Sequence, residues 1–271
     1  MELTLQCPTD KGTIHYQTRG DGAPVLLIMG FMARGRAWRS QVESLSSHFK
    51  VLWFDHRGVG DSPGPAASSM YEFAQDCLAL MDHVGWNQVH VVGISMGGMI
   101  AQELALMVPS RLLSLTLLVT HSGGGVKVML PPWRGLPYLL IAQLAWKASW
   151  RFKALKYLLI PRSQHEFISE DEMIRKLRED FSPKPPLSTR LAHINAIRKH
   201  DTTDRLSTLT ISTLIIHATQ DLLVKPAHCA ALTQLITGSS MISFENAGHG
   251  LIRQSRVDIN TPIIKHLKNN E

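Results

Sequence analysis

Three short stretches hold the residues whose types and spacing could do chemistry. The first is Gly93-Ile94-Ser95-Met96-Gly97, a lone serine between two glycines. It follows the apolar run Val89–Ile94 and precedes a helical pattern, so it marks a sharp strand-to-helix turn. Such a turn strains the backbone at Ser95, exposes its hydroxyl and points the Met96 N–H into the same space. Residues two before and two after the serine approach each other, which requires Gly93 and Gly97 to be small. A serine hydroxyl is a poor nucleophile at neutral pH. It needs a base within hydrogen-bond reach and a carboxylate to orient that base. Asp221 in "ATQD" and His249 in "NAGHG" each follow an apolar run and meet that need. Together the three could attack an acyl carbonyl.

The elements that must position them follow from patterning. Pro24–Met29, Lys50–Asp55, Val89–Ile94, Leu115–Thr120, Ser212–His217 and Ser240–Glu245 are continuous apolar runs. Continuous rather than alternating runs predict parallel strands covered on both faces. Met70–Gly85 spaces Phe73, Cys77, Leu80, Met81 and Val84 as one helical face, and the helix after Ser95 stops at Pro109. Alternating strands and helices predict a doubly wound α/β fold, whose ligands gather beyond the carboxyl ends of the strands. The opening residues predict an antiparallel hairpin turning at "DKG" or "RGDG". The rhythm breaks between His121 and about Ser207. Helices are expected over 136–160, 164–180 and 188–201, with a break at Ser182–Pro186. This reads as an α-helical insertion between two core strands.

Bulk properties narrow the classes. The 271 residues are 44% apolar and 18% charged, enough for a sizeable core and against long disordered tracts. A net charge of +6 would suit an anionic partner, yet no zinc-finger spacing or aromatic-basic RNA motif accompanies it, so nucleic-acid binding is not expected. Three distant cysteines give no disulfide framework. With no visible signal peptide and no apolar run of membrane-spanning length, the expectation is a cytoplasmic protein. The histidines are dispersed, so no metal site and no cofactor is expected. "DHRGVGDSPG" lacks the Gly-Lys-Ser/Thr of a phosphate loop.

The chain order Ser95, Asp221, His249 is that of one serine-hydrolase architecture and not of two others. With "GISMGG", "DHRGVGDS", "HATQDLLVKP" and "NAGHG", the sequence resembles the α/β-hydrolase fold superfamily over nearly its whole length. Within it, the chain looks closest to small carboxylesterases and 3-oxoadipate enol-lactonase-like hydrolases. The resemblance implies a core of residues 1–120 and 208–271 and a helical cap of residues 121–207. It implies Ser95 as nucleophile, His249 as base and Asp221 as its orienting acid, with an oxyanion held by the N–H groups of Met96 and Phe31. Two positions depart from the family pattern. Met29 stands where His often precedes Gly30, which removes a side-chain hydrogen bond that steadies the loop, and Ala218 replaces a glycine of the acid loop. Asp55 also ends a strand, but is expected to be a structural partner of Arg57 or of nearby backbone.

The implied function is cleavage of a carboxylic ester or lactone of modest size through an acyl-enzyme. The same triad would serve C–C bond hydrolysis, acyl transfer or perhydrolysis, and a ligand receptor on the same fold is the rival from another class. Residues 127–162 hold seven Lys and Arg, no Asp or Glu, and Trp133, Trp146 and Trp150. One reading packs this apolar face on the core. A second lets Trp133, Tyr138 and Trp146 line an acyl pocket with Met29 and Phe31. A third is weak contact with an anionic membrane surface. A monomer or homodimer is expected.

Overall fold

The computed structural model describes residues 4–167, 169–254 and 257–271, with the backbone alone at Val126 and Lys127. Eight strands form one sheet: β1 (Leu5–Thr9), β2 (Gly12–Arg19), β3 (Pro24–Ile28), β4 (Lys50–Phe54), β5 (Val89–Ile94), β6 (Leu112–Leu118), β7 (Thr213–Ala218) and β8 (Ser240–Phe244). Their order is β1-β2-β4-β3-β5-β6-β7-β8. β1 and β2 form the expected hairpin, turning at Asp10-Lys11, and β2 runs antiparallel to β4. All later pairings are parallel.

The apolar runs are continuous because both faces of the sheet are covered. Every residue of β5 and of β7 is buried. Side chains alternate along β3. Leu26 and Ile28 join one cluster with Phe73, Leu80, Ile100 and Leu104, and Val25 and Leu27 join the other with Val42, Leu45, Ile263 and Leu267. The first cluster is built by α2 (Met70–His83) and α3 (Met96–Met107). The second takes α1 (Arg39–Leu45) and the last helix of the chain, Asn260–Lys268. Ser69 caps α2 by accepting the Glu72 N–H at 3.2 Å.

Between β6 and β7 the chain is helical: α4 (Val126–Met129), α5 (Leu136–Leu144), α6 (Ala148–Leu159), α7 (Glu170–Phe181) and α8 (Leu187–Lys199). Two expectations are corrected here. The span 136–160 is two helices, interrupted at Ala145–Lys147, where exposed Trp146 offers no buried contact to continue the turn. The span 164–180 opens as a 3-10 turn, Arg162–Phe167, and α7 starts only after the Ser169 side chain caps it. α6 and α7 enclose a small apolar cluster of Phe152, Leu159, Ile160, Met173 and Leu177. α9 (Pro226–Ala230) and α10 (Leu232–Leu235) follow β7, and α11 (Asn260–Lys268) closes the chain.

Candidate active site

Ser95 sits between β5 and α3 at φ 56° and ψ −122°. That backbone is disfavoured for a side-chain-bearing residue and costs roughly 1–3 kcal/mol, which the surrounding packing must offset. The glycines show how tight the turn is. A Cβ on Gly97 would lie 2.1 Å from the Ile28 carbonyl oxygen, and one on Gly93 would lie 2.4 Å from that of Gly97. The serine is held from behind, because its N–H donates to Leu118 O at 2.9 Å and Thr120 Oγ1–H donates to its carbonyl at 2.8 Å.

The loops after β7 and β8 bring the other two residues to it. Ser95 Oγ lies 2.9 Å from His249 Nε2. His249 Nδ1 lies 2.7 Å from Asp221 Oδ2. The other Asp221 oxygen accepts the N–H groups of Leu223 at 2.7 Å and Val224 at 2.9 Å. Asp221 is thus buried and fixed in orientation, and it sets the tautomer in which Nδ1–H donates to it. The free Nε2 lone pair then faces the serine hydroxyl, as a general base must. The insertion holds this arrangement too, since Gly250 N–H donates to the Leu159 carbonyl at the end of α6, at 2.7 Å.

The loop after β3 passes over the elbow: a Cβ on Gly30 would sit 3.2 Å from Ser95 Cβ. Phe31 follows, and Met32 adopts φ 56°, a second strained position that nothing in the sequence announced. Among the described residues, no acceptor engages the N–H of Phe31 or of Met96. The expected absence of a side-chain bond steadying this loop is corrected. His56, from the loop after β4, donates its Nε2 hydrogen to Met29 O at 2.8 Å. Burial pushes the His56 pKa down to about 4, so the ring is neutral.

Asp55 is a structural residue, though not the partner of Arg57. Its Oδ1 accepts Gly35 N–H at 2.6 Å, and its Oδ2 accepts Arg34 Nε–H at 3.2 Å and Asp61 N–H at 3.0 Å. Arg57 instead pairs with Asp76 at 2.9 Å in the interior.

A cavity opens above Ser95 and His249. Met29 and Phe31 line it, as do Leu139, Ala142, Leu155, Leu158 and Leu159 of the insertion, with Phe181 and Leu223. The structure does not bring Trp133, Tyr138 or Trp146 there. Trp133 and Trp146 are 78% and 83% exposed. Trp133 and Tyr138 line a separate outer groove with Tyr157 and Arg162. The reason is the roll of α5 and α6, which turns Leu139, Ala142, Leu155, Leu158 and Leu159 inward and leaves the tryptophans beside the cations of Arg134 and Lys147. Lys184 and Arg253 were missed, and Arg151, one of the seven cations of residues 127–162, was not expected in the cavity wall, where all three lie. Among the described residues no group of His, Cys, Asp and Glu is arranged to hold a metal, and no helix is long and apolar enough to cross a membrane.

Comparison with known proteins agrees with this fold. The model of the alpha/beta hydrolase fold family matches residues 23–252, and the chain belongs to that family. It is a hydrolase of this fold with esterase-named relatives. A pimeloyl-[acyl-carrier protein] methyl ester esterase of Aeromonas hydrophila is 28% identical over 236 residues, covering 85% of this chain and 89% of its own. A thermophilic esterase from Thermogutta terrifontis, solved with malate bound, superposes with a TM-score of 0.81 at 25% identity, covering 99% of this chain and 98% of its own. The enol-lactonase from Burkholderia xenovorans gives 0.83 at 22% identity, over 97% and 100% of the two chains, and shares the fold.

Proposed function

We propose that this hydrolase cleaves a carboxylic ester or lactone through an acyl-enzyme. The observation that carries the reading is the relay from Ser95 Oγ to His249 Nε2 and from His249 Nδ1 to Asp221, at 2.9 and 2.7 Å, on the floor of an apolar cavity. The esterase-named relative that aligns along most of the chain supports it.

In this reading His249 takes the Ser95 proton as Oγ attacks the substrate carbonyl carbon. The carbonyl π electrons move to oxygen, and the N–H groups of Phe31 and Met96 receive that oxyanion. Collapse reforms the carbonyl and expels the alkoxide, which takes the proton from His249. Water then attacks the acyl-serine by the same sequence, giving the acid and restoring Ser95. Asp221 offsets the charge that His249 takes on. Each oxyanion donor is worth roughly 10²–10³ in rate. The helical segment of residues 121–207 acts as the cap that keeps bulk water from the cavity.

A panel of p-nitrophenyl esters and simple lactones, assayed beside Ser95→Ala, tests the reading. The expected result is many turnovers per molecule for the native protein and none above background for the variant. A native protein that binds such esters without turning them over is a receptor, and the reading fails.

A further inference from the structure

The cavity above Ser95 is apolar, yet every charged side chain in its wall that does not belong to the relay is a cation. Arg151 comes from α6, Lys184 from the link between α7 and α8, and Arg253 from the turn four residues after His249. No Asp or Glu among the described residues lines it. Charged groups in an apolar wall are costly unless something pairs them.

Arg253 is the most telling. Its side chain is 8% exposed. Its Nε–H donates to Asp180 Oδ2 at 2.8 Å, but that carboxylate is shared, since Arg39 donates to Oδ1 at 2.7 Å. The Arg253 Nη2 amino group is buried and has no acceptor among the described residues. A guanidinium presents a planar fork of donors, and one tine of this fork is unmatched. Arg151 and Lys184 form no ion pair among the described residues. Lys184 donates only to the Gln143 carbonyl at 2.8 Å, and Arg151 lies over the Phe152 ring at 4.7 Å. Burial and cationic neighbours lower the pKa of both, Arg178 acting on Arg151 and Arg190 on Lys184. The wall is therefore short of negative charge, and the buried donor is short of an acceptor.

Resting on the hydrolase reading, we propose that the substrate carries a second acidic group, a carboxylate set apart from the scissile bond by an apolar stretch, and that Arg253 receives it with Arg151 and Lys184. The carboxylate pairs the cations and neutralises the wall. Charge-assisted pairs of this kind are stronger than neutral hydrogen bonds and impose geometry, so they select the substrate and its register. The leucines of the insertion take the intervening carbons. The cations thus act in recognition, and the relay alone does the chemistry.

The experiment compares matched esters with and without the distal charge. One series pairs p-nitrophenyl monoesters of α,ω-dicarboxylic acids with p-nitrophenyl esters of monocarboxylic acids of the same length. The other pairs butanoate esters of ω-hydroxy acids with those of simple alcohols. In at least one series, kcat/KM for the charged member exceeds that of its neutral partner tenfold or more, mainly through KM. Arg253→Gln and Arg151→Gln each lower that ratio tenfold or more, and Arg253→Lys recovers part of it. A residue that only clamps Asp180 would not move the ratio. If Arg253→Gln does not fold, Arg151→Gln and Lys184→Gln carry the test. Calorimetry of glutarate and adipate with Ser95→Ala, against the matching diols, reads binding without turnover, and at least tenfold tighter binding of a diacid is expected. Neutral esters hydrolysed with no preference for charge in either assay would overturn the inference and leave the hydrolase reading intact. Diacid binding by a protein that hydrolyses nothing would do the reverse.

Discussion

The His56 ring donates to the Met29 carbonyl at 2.8 Å, one peptide short of Gly30. A side chain after β4 thereby fixes the loop that carries the Phe31 N–H, in place of the histidine that the loop itself lacks. His56→Ala is expected to lower kcat about tenfold, a fraction of the cost of losing an oxyanion donor. It also leaves Met29 O without its partner, at roughly 1–3 kcal/mol of stability if no water replaces it. Steady-state kinetics and denaturant titration check both. Unchanged kcat would show that the loop is set by backbone strain at Met32 alone.

His193, on α8, packs its ring 5.9 Å from Phe31 and 6.3 Å from His56. Burial lowers the pKa of His56 to about 4 and of His193 to about 3, from an ordinary 6.5. The unfolded chain then takes up protons first as pH falls. Stability is at its full value above pH 6.5 and declines below it, down to about pH 4 for His56 and about pH 3 for His193. The slope is up to about 1.4 kcal/mol per pH unit for each ring. Both His193 nitrogens lack partners among the described residues. His193→Leu should therefore flatten the acid limb of a melting-temperature profile and match or exceed the native stability at pH 7. A steeper acid limb in the variant would contradict this.

Asp55 directly follows β4 and Asp221 lies three residues past β7, and their hydrogen bonds differ. Asp221→Asn should lower kcat by roughly 10⁴ with little loss of stability, because an amide oxygen still accepts from Leu223 and Val224 while the tautomer of His249 is lost. Asp55→Asn should instead lower the melting temperature, since it breaks the Arg34 ion pair and weakens the Gly35 and Asp61 contacts. Rate measurements and thermal melts on both variants separate the roles. An Asp55→Asn enzyme that is stable yet inactive would reverse the assignment.

The outer face of the insertion leaves Leu144 77% exposed, together with Trp133 and Trp146, among Arg134 and Lys147. Exposed apolar and cationic groups side by side suit an anionic lipid surface. Sedimentation with phosphatidylserine-containing vesicles at low salt should retain the protein, and Trp146→Ser should weaken that retention severalfold. No retention at low salt would rule the contact out.

Much of the architecture was legible because the sheet is covered on both faces. Continuous runs such as Val89–Ile94 can then be read directly, and that strand was placed to the residue. The convergence of Ser95, Asp221 and His249 could be anticipated because each lies past such a run, at the same end of the sheet. The insertion was less so. Its helices are short, and their apolar residues are divided between the cavity, the core and solvent, so Trp content gave no sign of which way a side chain turns. His56 and Arg253 were missed for a different reason. Each acts across the fold, on Met29 and Asp180, and no local spacing encodes a contact between residues 27 or 73 positions apart.

The central claim is that Ser95 is a nucleophile made reactive by His249 and Asp221. A fluorophosphonate probe, read by intact mass and peptide mapping, tests it most directly. The account predicts a single adduct on Ser95, absent in Ser95→Ala and formed roughly 10³-fold or more slowly in His249→Ala. A native protein that stays unlabelled, or one labelled at another residue while hydrolysing esters, would contradict it.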